Sequence, residues 1–414
     1  MTKEMANLHV GLVAAADIES MLDLANVLHE AGVKVSLYLS FARAARLVAV
    51  PTGEDTGPQA EGEVAERFYQ RNLVPRECRI RLIHYPRLRD PRSLGVMRRA
   101  IGTMRADGVT LVHISIGPTE FWLAVLANLV RDLPVVTTYA QPKPNVGETR
   151  PPWLDMAINR LMARGADMLV VTLQSMVPYI QKAYGIPPGH TAYVPLCPRV
   201  TAVRWADPTG RSAEPVPEEP GTVLFFGGAR RHKGLEYLVR AQPMVNREVP
   251  DARFLIASHG SDLDRCLAMI EQPERFEVHR GFVPGDQMPA FYQRASVVAL
   301  PYISAGPSGV LLDAYGFGKP VVASEVGGLP EYVQDGTTGI LVPPGDEREL
   351  AAGIIHLLSD DELRRRMGDN ARCWIAELKQ SIAERWLEVY EQAMSFRPPA
   401  APRPQPNPLE ETNP

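Results

Sequence analysis

Residues 225–238 read F-F-G-G-A-R-R-H-K-G-L-E-Y-L, and this stretch decides the fold. The apolar run 222–226 that feeds it has the composition of a buried strand, and a helical pattern opens after Gly234. Between them stand Gly227 and Gly228, which let the backbone turn tightly beside a ligand, and then Arg230 and Lys233. Positive charge is thereby placed at the carboxyl edge of a sheet, where open α/β sheets bind ligands. Arginine brings a planar fork and lysine a point charge, a pair suited to a diphosphate. By composition alone the same loop reads equally well as a solvated basic turn.

Downstream, residues 301–324 read P-Y-I-S-A-G-P-S-G-V-L-L-D-A-Y-G-F-G-K-P-V-V-A-S, a loop of small residues leading into a helix over 308–317. Backbone N–H groups near Ser308, Gly309 and Val310, with the positive end of the helix dipole, form an anion site. Asp313 falls about one turn inside, where its carboxylate can accept hydrogen bonds from ribose hydroxyls or simply complement the dipole. A third piece, E-V-G-G-L-P-E over 325–331, follows another strand with Gly327 and Gly328. Strand patterns at 253–257, 296–300 and 320–323 complete the alternation, and 346–396 reads as helical.

Upstream, apolar runs at 8–13 and 33–39 flank a helical pattern at 18–30, which makes a βαβ unit with Gly32 as a left-handed helix cap. Further strands are expected at 110–114, 134–138, 168–171 and 191–194. Such alternation implies parallel sheets covered on both faces. Residues 207–221, D-P-T-G-R-S-A-E-P-V-P-E-E-P-G, lack either periodicity and read as a linker. The expected organisation is a first domain over 1–206, the linker over 207–221, a second domain over 222–380 and a helix over 381–396. A disordered tail follows over 397–414, where seven of eighteen residues are proline.

A chain of 414 residues exceeds the size at which single cores stop growing, in keeping with two domains. The net charge of −4 gives no reason to expect nucleic acid as a partner. Between Arg67 and Arg105, however, eleven arginines face two acids, Glu77 and Asp90, a local balance of +9. With Phe68, Tyr69 and Tyr85 interleaved, that stretch suits a phosphate-bearing acceptor or an anionic membrane face. The alternative is a solubilising surface. Cys78, Cys197, Cys266 and Cys373 have no metal-ligand spacing and suit a reducing, cytoplasmic setting. Asp262 and Asp264 spell D-x-D, but Asp262 reads better as a helix start than as a metal ligand. The longest apolar run, 121–130, is about half the ~20 residues of a spanning helix, and residues 1–7 lack a signal-type pattern.

The three glycine-rich pieces, in this order and spacing, resemble the C-terminal half of family-4 glycosyltransferases. The resemblance spans about 222–358, including G-F-V-P-G-D-Q-M-P-A-F-Y-Q-R-A-S at 281–296 and D-G-T-T-G-I-L-V-P-P-G-D at 335–346. It is weaker over the N-terminal half. It implies the α/β GT-B fold, two doubly wound Rossmann-like domains facing a central cleft, with the last helix crossing back to the first domain around Trp386. It further implies that Arg230 and Lys233 hold the donor diphosphate, that backbone at Phe282 and Val283 meets the base, and that Asp313 binds ribose. The donor would be a nucleotide-sugar such as a UDP- or GDP-sugar, used with retention and without metal or other cofactor. The acceptor would be a glycan, a lipid-linked or a small molecule, in glycan, glycolipid or exopolysaccharide synthesis. Acceptor-side candidates are His113, Tyr139, Asn145 and Glu148.

Four positions depart from the family pattern. Gly228 replaces a usual arginine, Ala305 the first acid of an E-x7-E pair with Ser304 a partial substitute, and Ala140 and Gln141 a histidine and an aspartate. The loop Ala14, Ala15, Ala16, Asp17 stands where glycines are usual. These departures leave open a degenerate member that binds nucleotide-sugar, or a protein partner, without transfer. A dinucleotide dehydrogenase is disfavoured, because no G-x-G-x-x-G follows the first strand.

Overall fold

The computed structural model describes residues 5–48, 50, 57–85, 90, 92–116, 121–139, 152–198 and 216–397. Seven strands, β1 (His9–Ala14), β2 (Lys34–Ser40), β3 (Arg79–Ile83), β4 (Leu111–Ile116), β5 (Val135–Tyr139), β6 (Met168–Val171) and β7 (Thr191–Tyr193), form one sheet in the order β3-β2-β1-β4-β5-β6-β7. Six more, β8 (Thr222–Gly228), β9 (Arg253–His259), β10 (Phe276–Arg280), β11 (Val297–Leu300), β12 (Val321–Ser324) and β13 (Gly339–Val342), form a second in the order β10-β9-β8-β11-β12-β13. Every pairing in both is parallel. Parallel strands need crossovers, and helices supply them on both faces, so the strands are buried and read as near-continuous Val, Ile and Leu.

The first sheet is covered by α1 (Ile18–Glu30), α2 (Phe41–Leu47), α3 (Pro58–Gln70), α4 (Ser93–Ala106), α5 (Phe121–Leu129), α6 (Pro152–Gly165) and α7 (Val177–Tyr184). The second carries α8 (Leu235–Glu248), α9 (Leu263–Leu267), α10 (Met288–Arg294), α11 (Gly309–Gly316), α12 (Leu329–Tyr332) and α13 (Glu347–Ser359). Helix α1 ends as its sequence dictates. Gly32 sits at φ +81°, its N–H donates to His29 O and that of Val33 to Leu28 O, the paired bonds of a left-handed cap.

A single helix, α14 (Asp361–Phe396), ties the sheets together. At 1.5 Å per residue its length is about 54 Å, enough to cross both. Its first turns bury Leu363, Met367 and Ala371, and Gly368 lets it lie close to Gly318, where an added Cβ would fall 2.2 Å from the carbonyl oxygen. Its later turns bury Leu378, Ile382, Trp386, Val389 and Tyr390 in a cluster that includes Leu12 and Val136 of the first sheet.

The sheet orders locate the binding edge. The chain winds outward from β1 to β3 and then returns to β4, and likewise from β8 to β10 and back to β11. Ligands in doubly wound sheets bind beyond the carboxyl ends of the strands where that reversal occurs. For the second sheet those ends are Gly228 and Leu300. Of the expected linker 207–221 only 216–221 fall among the described residues, and the tail beyond 397 falls outside them. No helix among the described residues is long and apolar enough to cross a membrane.

Candidate functional site

Two loops meet at that reversal. After β8, Gly227 adopts φ +97° and its carbonyl accepts from the Ser258 hydroxyl at 2.6 Å, while Gly228 pairs in register with His259. Arg230 is extended and exposed and opens a 3-10 turn, Arg231–Lys233. Gly234 closes it at φ +63°, and a Cβ there would fall 1.8 Å from the carbonyl oxygen of Pro301. The His232 carbonyl accepts the N–H groups of Ile303 at 2.9 Å and Ser304 at 3.4 Å, so the loop after β8 is stitched to the loop after β11. Burial, and then the neighbouring Lys233 and Arg230, push the His232 imidazole down to about 4.

The second loop contributes a helix opening. Ser308 caps α11, its Oγ accepting the Leu311 N–H at 3.4 Å. Tyr302, only 1% exposed, holds its hydroxyl 3.4 Å from that Oγ and its ring under the Lys233 ammonium, 3.8 Å from the ring centroid. Asp313 lies inside α11, buried, with the Tyr292 hydroxyl 3.5 Å from Oδ2.

A third loop follows β12. Gly327 sits at φ +58° with its missing Cβ 1.8 Å from the Ala305 carbonyl oxygen, and Gly328 N–H donates to that oxygen at 3.2 Å. Gly328 also meets Leu173, which follows β6 of the first sheet. Next to it the Glu331 carboxylate accepts the N–H groups of Gln174 at 2.6 Å and Ser175 at 3.2 Å, together with the Ser175 hydroxyl. Tyr332 donates its hydroxyl to the Thr172 carbonyl at 2.5 Å and accepts Leu196 N–H at 2.8 Å. These contacts join the two sheets at the edge where the loops converge.

A cavity of about 220 Å³ opens here. It brings together Gly227, Phe282, Val283, Gly309, Val310 and Asp313, which the sequence had selected. Lys233 and Arg230 stand on the neighbouring loop rather than in its lining, and Gly327 and Gly328 pack against the 305–306 backbone instead. Among the lining residues that were not selected are two with polar side chains, Glu19 from the first turn of α1 and His259 at the end of β9. The His259 ring stands edge-on to Phe282 at 5.9 Å, and Phe282 is 62% exposed. Strand pairing was the missing signal, since His259 is the register partner of Gly228.

The acceptor-side expectations fare differently. His113 is fully buried, its ring nitrogens 2.8 Å from the Tyr390 hydroxyl and 2.7 Å from the Thr138 hydroxyl, and it packs against Trp386. Tyr139 is also buried and donates its hydroxyl to the Asn159 carbonyl at 3.0 Å. Both face packed protein rather than an opening. Asn145 and Glu148, with Ala140 and Gln141, lie outside the described residues, as do Arg87 and Arg89.

The excess of positive charge between Arg67 and Arg105 is smaller in space than in sequence. Arg67 pairs with Glu63, Arg76 with Glu66, and Arg105 with Asp132, all acids outside the segment. Asp107 takes both Arg79 and Arg81 as well as the Tyr38 hydroxyl, and Arg81 first among these holds its carboxyl well below the usual range. Asp90 receives Arg92. Arg98 and Arg99 stay exposed on α4, and Arg99 lines a separate opening of about 500 Å³ beside β3. In the D-x-D pair, Asp262 precedes α9 but its carboxylate binds Arg265 rather than capping the helix, and Asp264 pairs with Arg280.

Two doubly wound parallel sheets bridged by one terminal helix, with a glycine-turned basic loop and a helix opening at the reversal of the second, define a protein of the GT-B class. Comparison with known proteins narrows this. Residues 19–197 match the model "Glycosyl transferase 4-like domain" and residues 220–360 match "Glycosyl transferases group 1". The chain belongs to this glycosyltransferase family. It is 34% identical over 152 residues to the alpha-D-kanosaminyltransferase of Streptomyces kanamyceticus, a match covering 36% of this chain and 39% of that protein. It is 29% identical over 253 residues to the D-inositol 3-phosphate glycosyltransferase of Corynebacterium kroppenstedtii, covering 56% and 55%. These matches thus span about half or less of the relatives' lengths. Among solved structures, sucrose-phosphate synthase of Thermosynechococcus elongatus superposes with a TM-score of 0.67 at 20% identity, over 94% of this chain and 100% of that one. An Anabaena protein, HepE, solved with UDP-glucose, gives 0.65 at 15% over the same shares. At such identities the two structures support the fold alone.

Proposed function

We propose that this protein transfers a sugar, with retention, from a nucleoside diphosphate sugar such as a UDP- or GDP-sugar to a glycan, lipid-linked or small-molecule acceptor. One observation carries the reading. Two cations on the loop after β8 are joined, through the loop after β11, to a helix opening and a buried acid that line the cavity at the reversal point of the second sheet. As the bond from sugar C1 to the diphosphate oxygen breaks, negative charge grows on the leaving group. Lys233, Arg230 and the opening amides of α11 are the groups that stabilise it, without a metal. Asp313 is the ribose contact, and Phe282 with Val283 the base contact. The relatives act on sugars by name, and HepE binds UDP-glucose, which supports a nucleotide-sugar here. Four free cysteines suit a reducing, cytoplasmic setting. Among the described residues of the 67–105 stretch, Arg98 and Arg99 stand exposed on α4 and would meet an anionic acceptor or membrane face.

A panel of nucleotide-sugars and free nucleotides, read by thermal shift, tests the binding step, since a ligand of the folded state raises Tm. If none of them shifts Tm or titrates calorimetrically, the reading fails. Ala305 favours a second reading. Its side chain offers no carboxylate beside the cavity, and its carbonyl is already occupied by Gly328. A protein that binds a nucleotide-sugar but neither hydrolyses nor transfers it would be a binder descended from a transferase. Release of free nucleoside diphosphate with or without added acceptor separates the two.

A further inference from the structure

Tyr302 occupies a place between the two halves of the anion site. The Lys233 ammonium stands 3.8 Å from its ring centroid, and its hydroxyl lies 3.4 Å from the oxygen that caps α11. The ring itself cannot wander. It is 1% exposed, packs in the main core cluster with Leu300 and Leu311, and its own N–H is held by Leu300 O at 2.8 Å. A lysine side chain is a flexible stem with a compact charge, and ordering it on binding opposes affinity. An aromatic face beneath the ammonium supplies that order beforehand.

We propose that Tyr302 is the positioning residue of the diphosphate site, presenting Lys233 on its ring face beside the Ser308 cap of the facing helix. The two arms of the clamp come from loops some seventy residues apart in sequence, after β8 and after β11. The carbonyl of His232 joins their backbones, and Tyr302 joins their functional groups. This assignment rests on the nucleotide-sugar reading, and the experiment separates the two.

Calorimetric titrations of UDP, GDP, UMP and GMP into the wild type, Tyr302→Phe, Tyr302→Leu, Lys233→Ala and the Lys233→Ala/Tyr302→Leu double variant test it. If the wild type binds neither diphosphate, the site reading itself fails. If it binds one, Tyr302→Leu is expected to lose about three- to tenfold for that diphosphate and less for its monophosphate. Tyr302→Phe, which keeps the ring, retains most of the affinity and guards against a folding defect in the leucine variant. In the Lys233→Ala background Tyr302→Leu should cause no further loss of discrimination between diphosphate and monophosphate. Equal losses for both nucleotides, or undiminished effects without Lys233, would make Tyr302 a packing residue only. Tighter diphosphate binding by Tyr302→Leu would also overturn the proposal, because the ring would then be sequestering the lysine.

Discussion

Lys233 and Arg230 carry the same charge in different surroundings, and that difference sets what each can contribute. Lys233 is half-buried over an immobile ring, whereas Arg230 is exposed. Charge-assisted hydrogen bonds are worth on the order of 1.5 to 3 kcal/mol, or about ten- to a hundredfold in affinity. Lys233→Ala is expected to lose an amount in that range for a nucleoside diphosphate and little for the nucleoside. Arg230→Ala should lose less, and its loss should shrink as salt rises, because exposed charges are screened. Calorimetry at low and high salt checks both, and unchanged diphosphate affinity in the two variants would remove the clamp. Gly234 gives a second test. Alanine there must tolerate φ +63° and a carbonyl oxygen 1.8 Å away, so Gly234→Ala should lower Tm although it adds only a methyl. These glycines and cations were legible in the sequence because turns and charges are local signals. His259 and Glu19 were not, because one enters the site through strand register and the other through the approach of a different sheet.

At the scale of elements, the last helix shows how a buried histidine ties stability to pH. Burial pushes the His113 imidazole down to about 3, while the unfolded chain titrates near the ordinary value of 6.5. The folded-state value is the lower one. Stability from the neutral ring is therefore complete above about 6.5 and is lost as pH falls from there toward 3. Because that ring bonds Tyr390 of α14 and Thr138 of β5, its protonation should loosen the terminal helix. His9 and His232 are also pushed down to about 4 and add to the acid slope, so only a comparison isolates His113. His113→Gln should have a lower Tm near neutrality but a shallower fall in acid, and an unchanged slope would assign the effect elsewhere. Gly368 in the same helix makes an opposite point about propensity. Alanine gains about 1 kcal/mol over glycine in an exposed helix, yet here its Cβ would collide with Gly318 O, so Gly368→Ala should destabilise. The strands the sequence left unassigned, β3, β10 and β13, are edge strands or short ones. Arg-Ile-Arg-Leu-Ile and Phe-Glu-Val-His-Arg carry charges because one side of each faces solvent, which breaks the apolar run that marked the central strands. Central strands such as β6 and β8 were read directly, since burial on both faces leaves little room for polar residues.

For the whole molecule, the contacts among the described residues that fix how the two sheets face each other are unequal in kind. The terminal helix is a long apolar seam, whereas the contact beside the cavity is polar and small. There the Glu331 carboxylate accepts two N–H groups and a hydroxyl from residues 174–175, at the start of the 3-10 turn Gln174–Met176, a point where a helix-type terminus favours a negative charge. Those bonds are solvent-exposed, which limits their worth to about 1 kcal/mol, yet that suffices to shift a two-state equilibrium by roughly fivefold. The same short segment carries Gly327 and Gly328 against Ala305, so any opening at Glu331 should also slacken the wall of the cavity loop. Tyr332, by contrast, is buried and should persist as the pivot. Glu331→Ala is therefore expected to fold with a Tm close to wild type but to populate a more open arrangement. A label pair, one on each sheet, read by single-molecule energy transfer, should show that shift in the free protein. Saturating nucleoside diphosphate should draw the variant back toward the wild-type distance if the ligand bridges both sheets, as the presence of Glu19 in the cavity lining implies. Identical distance distributions in the two proteins would show that α14 and Tyr332 set the orientation without Glu331, which then merely caps its neighbour.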